Sequence, residues 1–401
     1  MRVALVMERI ETWRGGAETS TMQFADHLAA AGVELTVLTA TIVQSTPRLR
    51  IVPLHVSSVL RASKTLAFAR RVTQYIREHS AEYDIVHGIT PCAALDIYQP
   101  RGGTVPETLA RNVAIRRAAV QKGLKRFTQA LSWKYRVVTR LERDLIRRDP
   151  PPCVIAISDY VRRQLHHHYQ LDDSHIRLIF NGVDPDLSGP EERREHRLAI
   201  RKQFGLADDD VVALCVAHNF KLKGVGKLVE AMAKVNAAPQ AGGASAGGTR
   251  RRMYAIVVGR DDVTPYLKQL QTFGIADTVL FSGPTQRIAA FFHAADFLVH
   301  PTYYDPCSRV VLEAMASGLP VITTRFNGAS ERVRDGQEGY VIDAPEDVDA
   351  LADRMLRLED ASRRRQMGAA ALEAVAGLTM ERHARSEERR VGKECRSRWS
   401  P

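Results

Sequence analysis

Residues 299–320, VHPTYYDPCSRVVLEAMASGLP, carry the densest chemistry in this chain. The apolar run Phe297-Leu298-Val299 ends in a His-Pro turn, and a loop with Asp305 follows. An apolar-periodic helix then opens around Ser308, carries Glu313 and stops at Gly318 and Pro320. Two carboxylates eight residues apart therefore sit on a loop and on the helix it feeds. In an open α/β sheet that place is the crevice beyond the carboxyl ends of the strands, where ligands bind. The helix N-terminus between the two acids offers backbone N–H groups to an anion. Carboxylates beside an anion site suit a ligand that has both hydroxyls and phosphates, such as a nucleotide-sugar. An ordinary βα unit with solvated acids has the same pattern.

Three further stretches could do chemistry. His218-Asn219-Phe220-Lys221-Leu222-Lys223-Gly224-Val225 joins a strand to a helix. Lys221 and Lys223 there make a cationic mouth for a diphosphate, and their charge would stabilise a departing nucleotide. Exposed loop lysines fit the stretch too. Arg14-Gly15-Gly16-Ala17-Glu18 follows the first strand and opens the first helix. Gly15 and Gly16 permit positive φ and close backbone approach to a phosphate or sugar, although a plain turn uses them equally. The stretch is not Gly-x-Gly-x-x-Gly and has no Walker lysine, which weighs against a dinucleotide dehydrogenase and a P-loop NTPase. Asp84-Ile85-Val86-His87 ends a strand, with His87 at its carboxyl end.

The elements that must position these residues alternate along the chain. Arg2–Met7, Glu34–Leu38, Arg50–Pro53, Asp84–His87, Val154–Ile157 and Ile176–Phe180 read as strands. Gly16–Ala31, Leu66–His79 and Asp159–His168 read as helices, the last capped by Ser158. After the Asn181-Gly182 turn, residues 187–203 read as a charged helical connector. The alternation then resumes with strands at Val211–Val216, Tyr254–Val258, Val279–Ser282, Phe297–Val299 and Val321–Thr323. Helices at Val225–Lys234, Tyr266–Phe273 and Ile288–Ala294 separate them. Such βαβ alternation means parallel sheets. Residues 237–249, rich in Gly, Ala and Ser, read as a flexible surface insertion. The expected domains are 1–184, 185–380 and a tail, 381–401, that is disordered or foreign because it has high charge and no apolar period.

Composition bounds the reading. With 401 residues, 45% hydrophobic and 26% charged, the chain suits two globular domains. No run of about 20 apolar residues is available to span a membrane. The N-terminal apolar stretch is too short for a signal peptide. Five scattered cysteines without a Cys-x2-Cys pair argue against zinc and against a disulfide framework. The net charge of +11 concentrates in residues 101–150, which hold thirteen Lys/Arg against four Asp/Glu. Leu, Val, Ile, Phe127, Trp133 and Tyr135 interleave with the cations between Arg111 and Arg148. That pattern suits helices with a basic face and a packed or interfacial one, and hence an anionic partner such as a membrane surface or a phosphorylated glycolipid. Nucleic acid is not expected, since no binding module is visible.

The segment from Asp305 to Glu313 resembles the Glu-x7-Glu region of retaining glycosyltransferases of the GT-B fold, family 4. Asp305 stands one methylene short of the usual Glu, and Glu313 matches the second position. The Gly-Gly-Ala-Glu stretch at 15–18, Lys223-Gly224, Asn181-Gly182-Val183-Asp184 and Gly328-Ala329-Ser330-Glu331 are similar to family motifs in the same order. The resemblance covers residues 1–380. It implies two doubly wound, Rossmann-like α/β domains facing a cleft, with the second holding a nucleotide-sugar and the first the acceptor. It implies donor contacts from Gly15, Gly16, Lys221, Lys223, Asp305 and Glu313, with Asp305 at the sugar and Glu313 at the ribose. Catalytic roles would fall to Lys223, Asp305 and His87. The family often carries two histidines two apart near His87; here Ile89 stands in the second place, and a core histidine also fits.

The implied reaction moves a hexose to a glycan or glycolipid acceptor, a lipopolysaccharide core by resemblance, with retention. No Asp-x-Asp cluster with flanking strands appears in the sequence, so transfer without metal or other cofactor is expected. The expected location is cytoplasmic, either free or peripheral on the inner face of the membrane. A GT-B-type epimerase and a catalytically weak nucleotide-sugar-binding protein would show the same nucleotide contacts.

Overall fold

The computed structural model describes residues 1–10, 16–41, 49–56, 61–116, 118–238 and 252–386. Contacts divide the chain into two compact units, Met1–Gly182 with the chain from Leu378 onward, and Val183–Gly377.

The first unit is built on β1 (Arg2–Val6), β2 (Glu34–Thr39), β3 (Arg50–Pro53), β4 (Ile85–Gly88), β5 (Ile97–Tyr98), β6 (Cys153–Ala156) and β7 (Ile176–Leu178). They form one sheet in the order β3-β2-β1-β4-β5-β6-β7, every neighbouring pair parallel. Near-continuous apolar strands such as Val3-Ala4-Leu5-Val6, all buried, are what a parallel sheet covered on both faces requires. The helices are α1 (Gly16–Ala30), α2 (Arg61–Glu78), α3 (Val105–Ala114), α4 (Ala119–Leu131), α5 (Trp133–Ile146) and α6 (Asp159–Tyr169). Ser158 caps α6 as expected, its Oγ accepting from the Val161 N–H at 3.2 Å.

The second unit opens with α7 (Pro190–Gln203) and carries β8 (Val211–Val216), α8 (Val225–Ala237), β9 (Met253–Val258), α9 (Thr264–Phe273), β10 (Val279–Gly283), α10 (Ile288–Ala294), β11 (Phe297–His300), α11 (Arg309–Ala316), β12 (Val321–Thr324), β13 (Gly339–Ile342), α12 (Val348–Arg357) and α13 (Ala361–Val375). Its sheet runs β10-β9-β8-β11-β12-β13, again all parallel. The order reverses between β8 and β11, so the loops leaving those two strands diverge and open a crevice at their carboxyl ends.

The basic stretch 111–148 is helical, as expected, and is divided among α3, α4 and α5. Three readings change. Ile97 and Tyr98, not assigned to any strand from sequence, form a short buried strand. Strand β13, Gly339-Tyr340-Val341-Ile342, was not expected. The largest change is at the end of the chain. Residues 380–386 are helical, and Met380, His383 and Ala384 are buried in the first unit. The His383 ring bonds the Phe180 carbonyl oxygen through Nδ1 at 2.9 Å. Gly182 makes this close approach possible, because a Cβ there would lie 2.9 Å from the Met380 Cα. The tail expected from 381 therefore packs at least as far as Ala384. Its apolar residues were hidden because only Met380 and Ala384 mark the buried face. Residues 387–401, and the insertion from 239 onward, lie outside the described residues.

Candidate active site

The strand order of the second unit brings the sequence-selected residues together. Lys223 lies on the loop after β8 and Asp305 on the loop after β11, the two strands that flank the reversal. Lys223 Nζ lies 2.6 Å from Asp305 Oδ2, with both side chains mostly buried. A second, longer donation runs from Nζ to the Tyr304 carbonyl oxygen at 3.4 Å. An ammonium has three hydrogens, so this geometry leaves donor capacity for a ligand.

Backbone contacts hold the two loops edge to edge. The Tyr303 N–H donates to the Leu222 carbonyl at 2.9 Å, and the Thr302 hydroxyl donates to the same oxygen at 3.2 Å. Gly224 adopts φ +74°, and a Cβ there would lie 2.0 Å from the Pro301 carbonyl oxygen. Only glycine permits that approach, and the approach brings Lys223 to Asp305.

Behind Asp305, the fully buried Asn327 organises the loop. Its Oδ1 accepts from the backbone N–H of Ser308 and of Ala329, each at 3.0 Å, and its Nδ2 donates to Thr323 Oγ1 at 3.0 Å. The Asp305 N–H donates to the Phe326 carbonyl, and the Gly328 N–H to the Asp305 carbonyl, both at 2.9 Å. The Gly328–Glu331 stretch thus supports the Asp305 loop through its backbone. Asn327 escaped the sequence reading, though Asn327-Gly328 is a turn signal.

The electrostatics follow from burial. Burial alone would push the Asp305 carboxyl up. The Lys223 ammonium, and after it His300, overrule burial and hold it well below the usual carboxylate range. His300, the last residue of β11, is 1% exposed, with Nε2 3.5 Å from Asp305 Oδ2. Burial first, and Lys223 as well, push its imidazole below the ordinary value, against the pull of Asp305. His300 was noticed in sequence only as part of a turn; nothing in the pattern marked its ring as facing Asp305.

Glu313 projects from α11, and its Oε1 accepts from Arg309 Nη2 one turn earlier at 3.0 Å. It shares α11 with the anion-binding end, but no hydrogen bond or ion pair joins it to the Lys223–Asp305 pair among the described residues. Lys221 is exposed on the same loop as Lys223. The pattern suits an anionic, hydroxyl-bearing ligand, with cations and helix amides for phosphate and carboxylates for hydroxyls.

The first unit has its own reversal, between β1 and β4. His87 lies on β4, buried, with its ring edge-on to Phe24 at 5.7 Å. Phe24 also meets the Arg101 guanidinium at 5.1 Å and the His383 ring at 5.9 Å. Gly16 opens α1, while Gly15 lies outside the described residues. Among the described residues, no group of three or more His, Cys, Asp or Glu is placed to hold a metal ion.

The basic helices present an unusual surface. On α4, Val120, Leu124, Phe127 and Leu131 recur at helical spacing and, with the neighbouring Trp133, are 54–82% exposed. The residue this helix buries is polar: Gln129, whose Nε2 donates to the Leu109 carbonyl at 3.2 Å. The apolar stripe therefore faces outward. Arg126 on the same helix and Lys134, Arg136 and Arg140 on α5 are exposed as well. The helices are tied to the sheet by the buried Glu142, which accepts from the Tyr98 hydroxyl at 2.7 Å and the Val105 N–H at 2.8 Å.

Comparison with known proteins agrees with the fold. Residues 14–187 match the family described as Glycosyltransferase Family 4, and residues 196–374 the family described as Glycosyl transferases group 1. The chain is 25% identical over 332 residues to the lipopolysaccharide glucosyltransferase WaaG of Escherichia coli, covering 82% of each. Among solved structures it is similar to WaaG, a glycosyltransferase involved in lipopolysaccharide biosynthesis, with a TM-score of 0.78, 22% identity, and coverage of 96% of this chain and 98% of that one. It is similar also to Anabaena HepE in complex with UDP-glucose, with a TM-score of 0.70, 18% identity, and coverage of 98% and 99%. At those identities the structural likenesses establish the fold.

Proposed function

The chain belongs to the GT-B glycosyltransferases, and from that premise we propose that it moves a hexose from a nucleotide-diphosphate sugar to an anionic glycolipid, with retention at the anomeric carbon. The observation that carries the proposal is the Lys223–Asp305 pair at the reversal of the second sheet. The family and the nearness to a lipopolysaccharide glucosyltransferase support a glucose donor and a lipopolysaccharide-core acceptor.

In this reading the diphosphate lies against Lys223, Lys221 and the N-terminus of α11. The free Asp305 oxygen accepts from sugar hydroxyls, and Glu313 accepts from the ribose. The acceptor oxygen bonds to C1 on the face from which the diphosphate departs, and its proton passes to a departing phosphate oxygen. The lysines stabilise the charge that grows on that leaving group, without a metal. Gly15, Gly16 and His87 serve from the first domain, which takes the acceptor.

The outward stripe of α4, set among cations, supports docking on an anionic membrane where such an acceptor resides. Apolar side chains enter the headgroup region while Arg and Lys meet lipid phosphate. No described helix is long and apolar enough to cross a membrane.

Thermal denaturation with a panel of nucleotide-sugars tests the donor assignment. UDP-glucose should raise the melting temperature in a concentration-dependent way. A panel in which no nucleotide-sugar does so would defeat the proposal.

A further inference from the structure

His300 is a group the proposed mechanism does not use. Its carbonyl accepts from Thr323 Oγ1 at 3.0 Å, so its backbone is fixed at the end of β11. Its ring is buried, and neither nitrogen has a hydrogen-bond partner among the described residues. Nε2 stands 3.5 Å from Asp305 Oδ2, at the outer limit of a hydrogen bond. The same oxygen already has Lys223 at 2.6 Å. One carboxylate oxygen thus faces two nitrogenous side chains, of which only the lysine carries charge.

That balance depends on Lys223. The charged groups acting on His300 are Lys223, from the β8 loop, and Asp305, from its own loop. From β12, Thr323 is uncharged. From β8, Cys215 is a buried thiol pushed up to about 12 and therefore neutral. Without a donor, the burial of the ring and the repulsion of Lys223 keep His300 neutral, against the pull of Asp305. A donor diphosphate beside Lys223 brings two negative charges and draws the ammonium's field away. Asp305 then loses its counter-charge, and the nearest group able to replace it is His300.

We propose that His300 is a positioning residue that takes up a proton from solvent when the donor diphosphate engages Lys223, and as imidazolium holds Asp305 in place for the sugar. Nε2 faces the Asp305 carboxylate, which favours the tautomer with its hydrogen there; the incoming proton then goes to Nδ1, and the charged ring closes the 3.5 Å gap to a full ion pair. Lys223 is released to the phosphate without leaving a buried carboxylate unpaired, which would be costly. The inference rests on the donor reading given above.

Its consequence is a proton linkage. A group whose pKa rises on binding makes binding tighter as pH falls, by at most tenfold per pH unit for one proton. The effect lies between the pKa of His300 in the free and in the donor-bound protein, with affinity flat above the bound value. UDP-glucose is the suitable probe, because a pyrophosphate diester neither gains nor loses a proton near neutrality.

Calorimetry of UDP-glucose binding near pH 6.5, in two buffers of different ionisation enthalpy, counts the protons. The wild-type chain should take up between about half and one proton, and His300→Asn none. Ring NMR signals of the wild-type protein give a second readout that needs no variant: one buried histidine should move to the imidazolium position on adding UDP-glucose. Binding without proton uptake would overturn the inference while leaving the donor reading intact, as would uptake that persists in His300→Asn. An absence of binding by UDP-glucose and by every other nucleotide-sugar of the panel would defeat the donor reading, and this inference with it.

Discussion

Replacing Lys223 with methionine removes an ammonium and keeps most of its stem. That ammonium lies 2.6 Å from Asp305 Oδ2, with side chains 19% and 14% exposed. Coulomb attraction at this separation is about 6 kcal/mol for an effective dielectric constant of about 20, and desolvation of the two ions offsets most of it. The variant instead leaves a carboxylate without its partner. Breaking a buried pair in this way costs about 3–5 kcal/mol, and the partial exposure here puts the expected loss at about 3 kcal/mol. The pH dependence has a definite sign. A carboxyl held below its ordinary value contributes stability above its unfolded pKa of about 3.9, so at pH 8 the wild-type contribution is complete. In Lys223→Met no cation remains beside Asp305 at pH 8. As the pH falls, His300 is no longer repelled by Lys223 and can charge in its place. The deficit should therefore shrink by up to about 1.4 kcal/mol per pH unit between pH 8 and pH 6. Urea unfolding at pH 8, 7 and 6 measures this, with Lys223→Met/His300→Asn, compared with His300→Asn alone, as the control whose deficit stays constant. A deficit below about 0.5 kcal/mol at pH 8, within the range of an exposed pair, would refute the reasoning, as would a deficit that does not change with pH.

Glu313→Ala should weaken donor binding by about 1.5–3 kcal/mol, the value of a hydrogen bond to a charged acceptor; unchanged affinity in calorimetry would remove Glu313 from the donor site. Truncation after Leu378 deletes the fully buried Met380 together with His383 and Ala384. It should cost at least about 2–5 kcal/mol, as for one buried Met→Ala, so thermal denaturation with no loss would mean the returning segment is not packed as described. Changing Leu124 and Phe127 to serine should abolish co-sedimentation with anionic vesicles while leaving the melting temperature within a few degrees, since both side chains already face outward. Binding that persists in this double variant at about 0.15 M salt would place membrane contact elsewhere.

The two parallel sheets were legible because their strands are short apolar runs separated by helix-period segments, as in Val211–Val216 and Phe297–His300. The meeting of Lys223 and Asp305 was only partly legible. Each residue could be assigned to a loop after a strand, but strand order decides which loops adjoin, and no local pattern encodes that β8 pairs with β11. His300 and Asn327 act through single side chains buried by long-range packing, where periodicity is silent. The returning segment was missed for a similar reason. Met380 and Ala384 lie four residues apart, one helical step, which is too little pattern to separate from a charged tail. Gly182 could be read as a turn glycine, yet its packing against Met380 depends on a contact nearly 200 residues away.

The proposed activity is retaining hexosyl transfer from a donor held by the second domain. The direct test is to incubate the full chain with UDP-glucose, carbon-13 labelled at C1, and a lipopolysaccharide-core oligosaccharide, and to read the anomeric one-bond coupling of the product. An α-glucosyl product with stoichiometric UDP release, lost in Lys223→Met, is the expected result. A β-linked product would contradict retention, and labelled glucose left entirely on the nucleotide would contradict the assignment of this donor and acceptor.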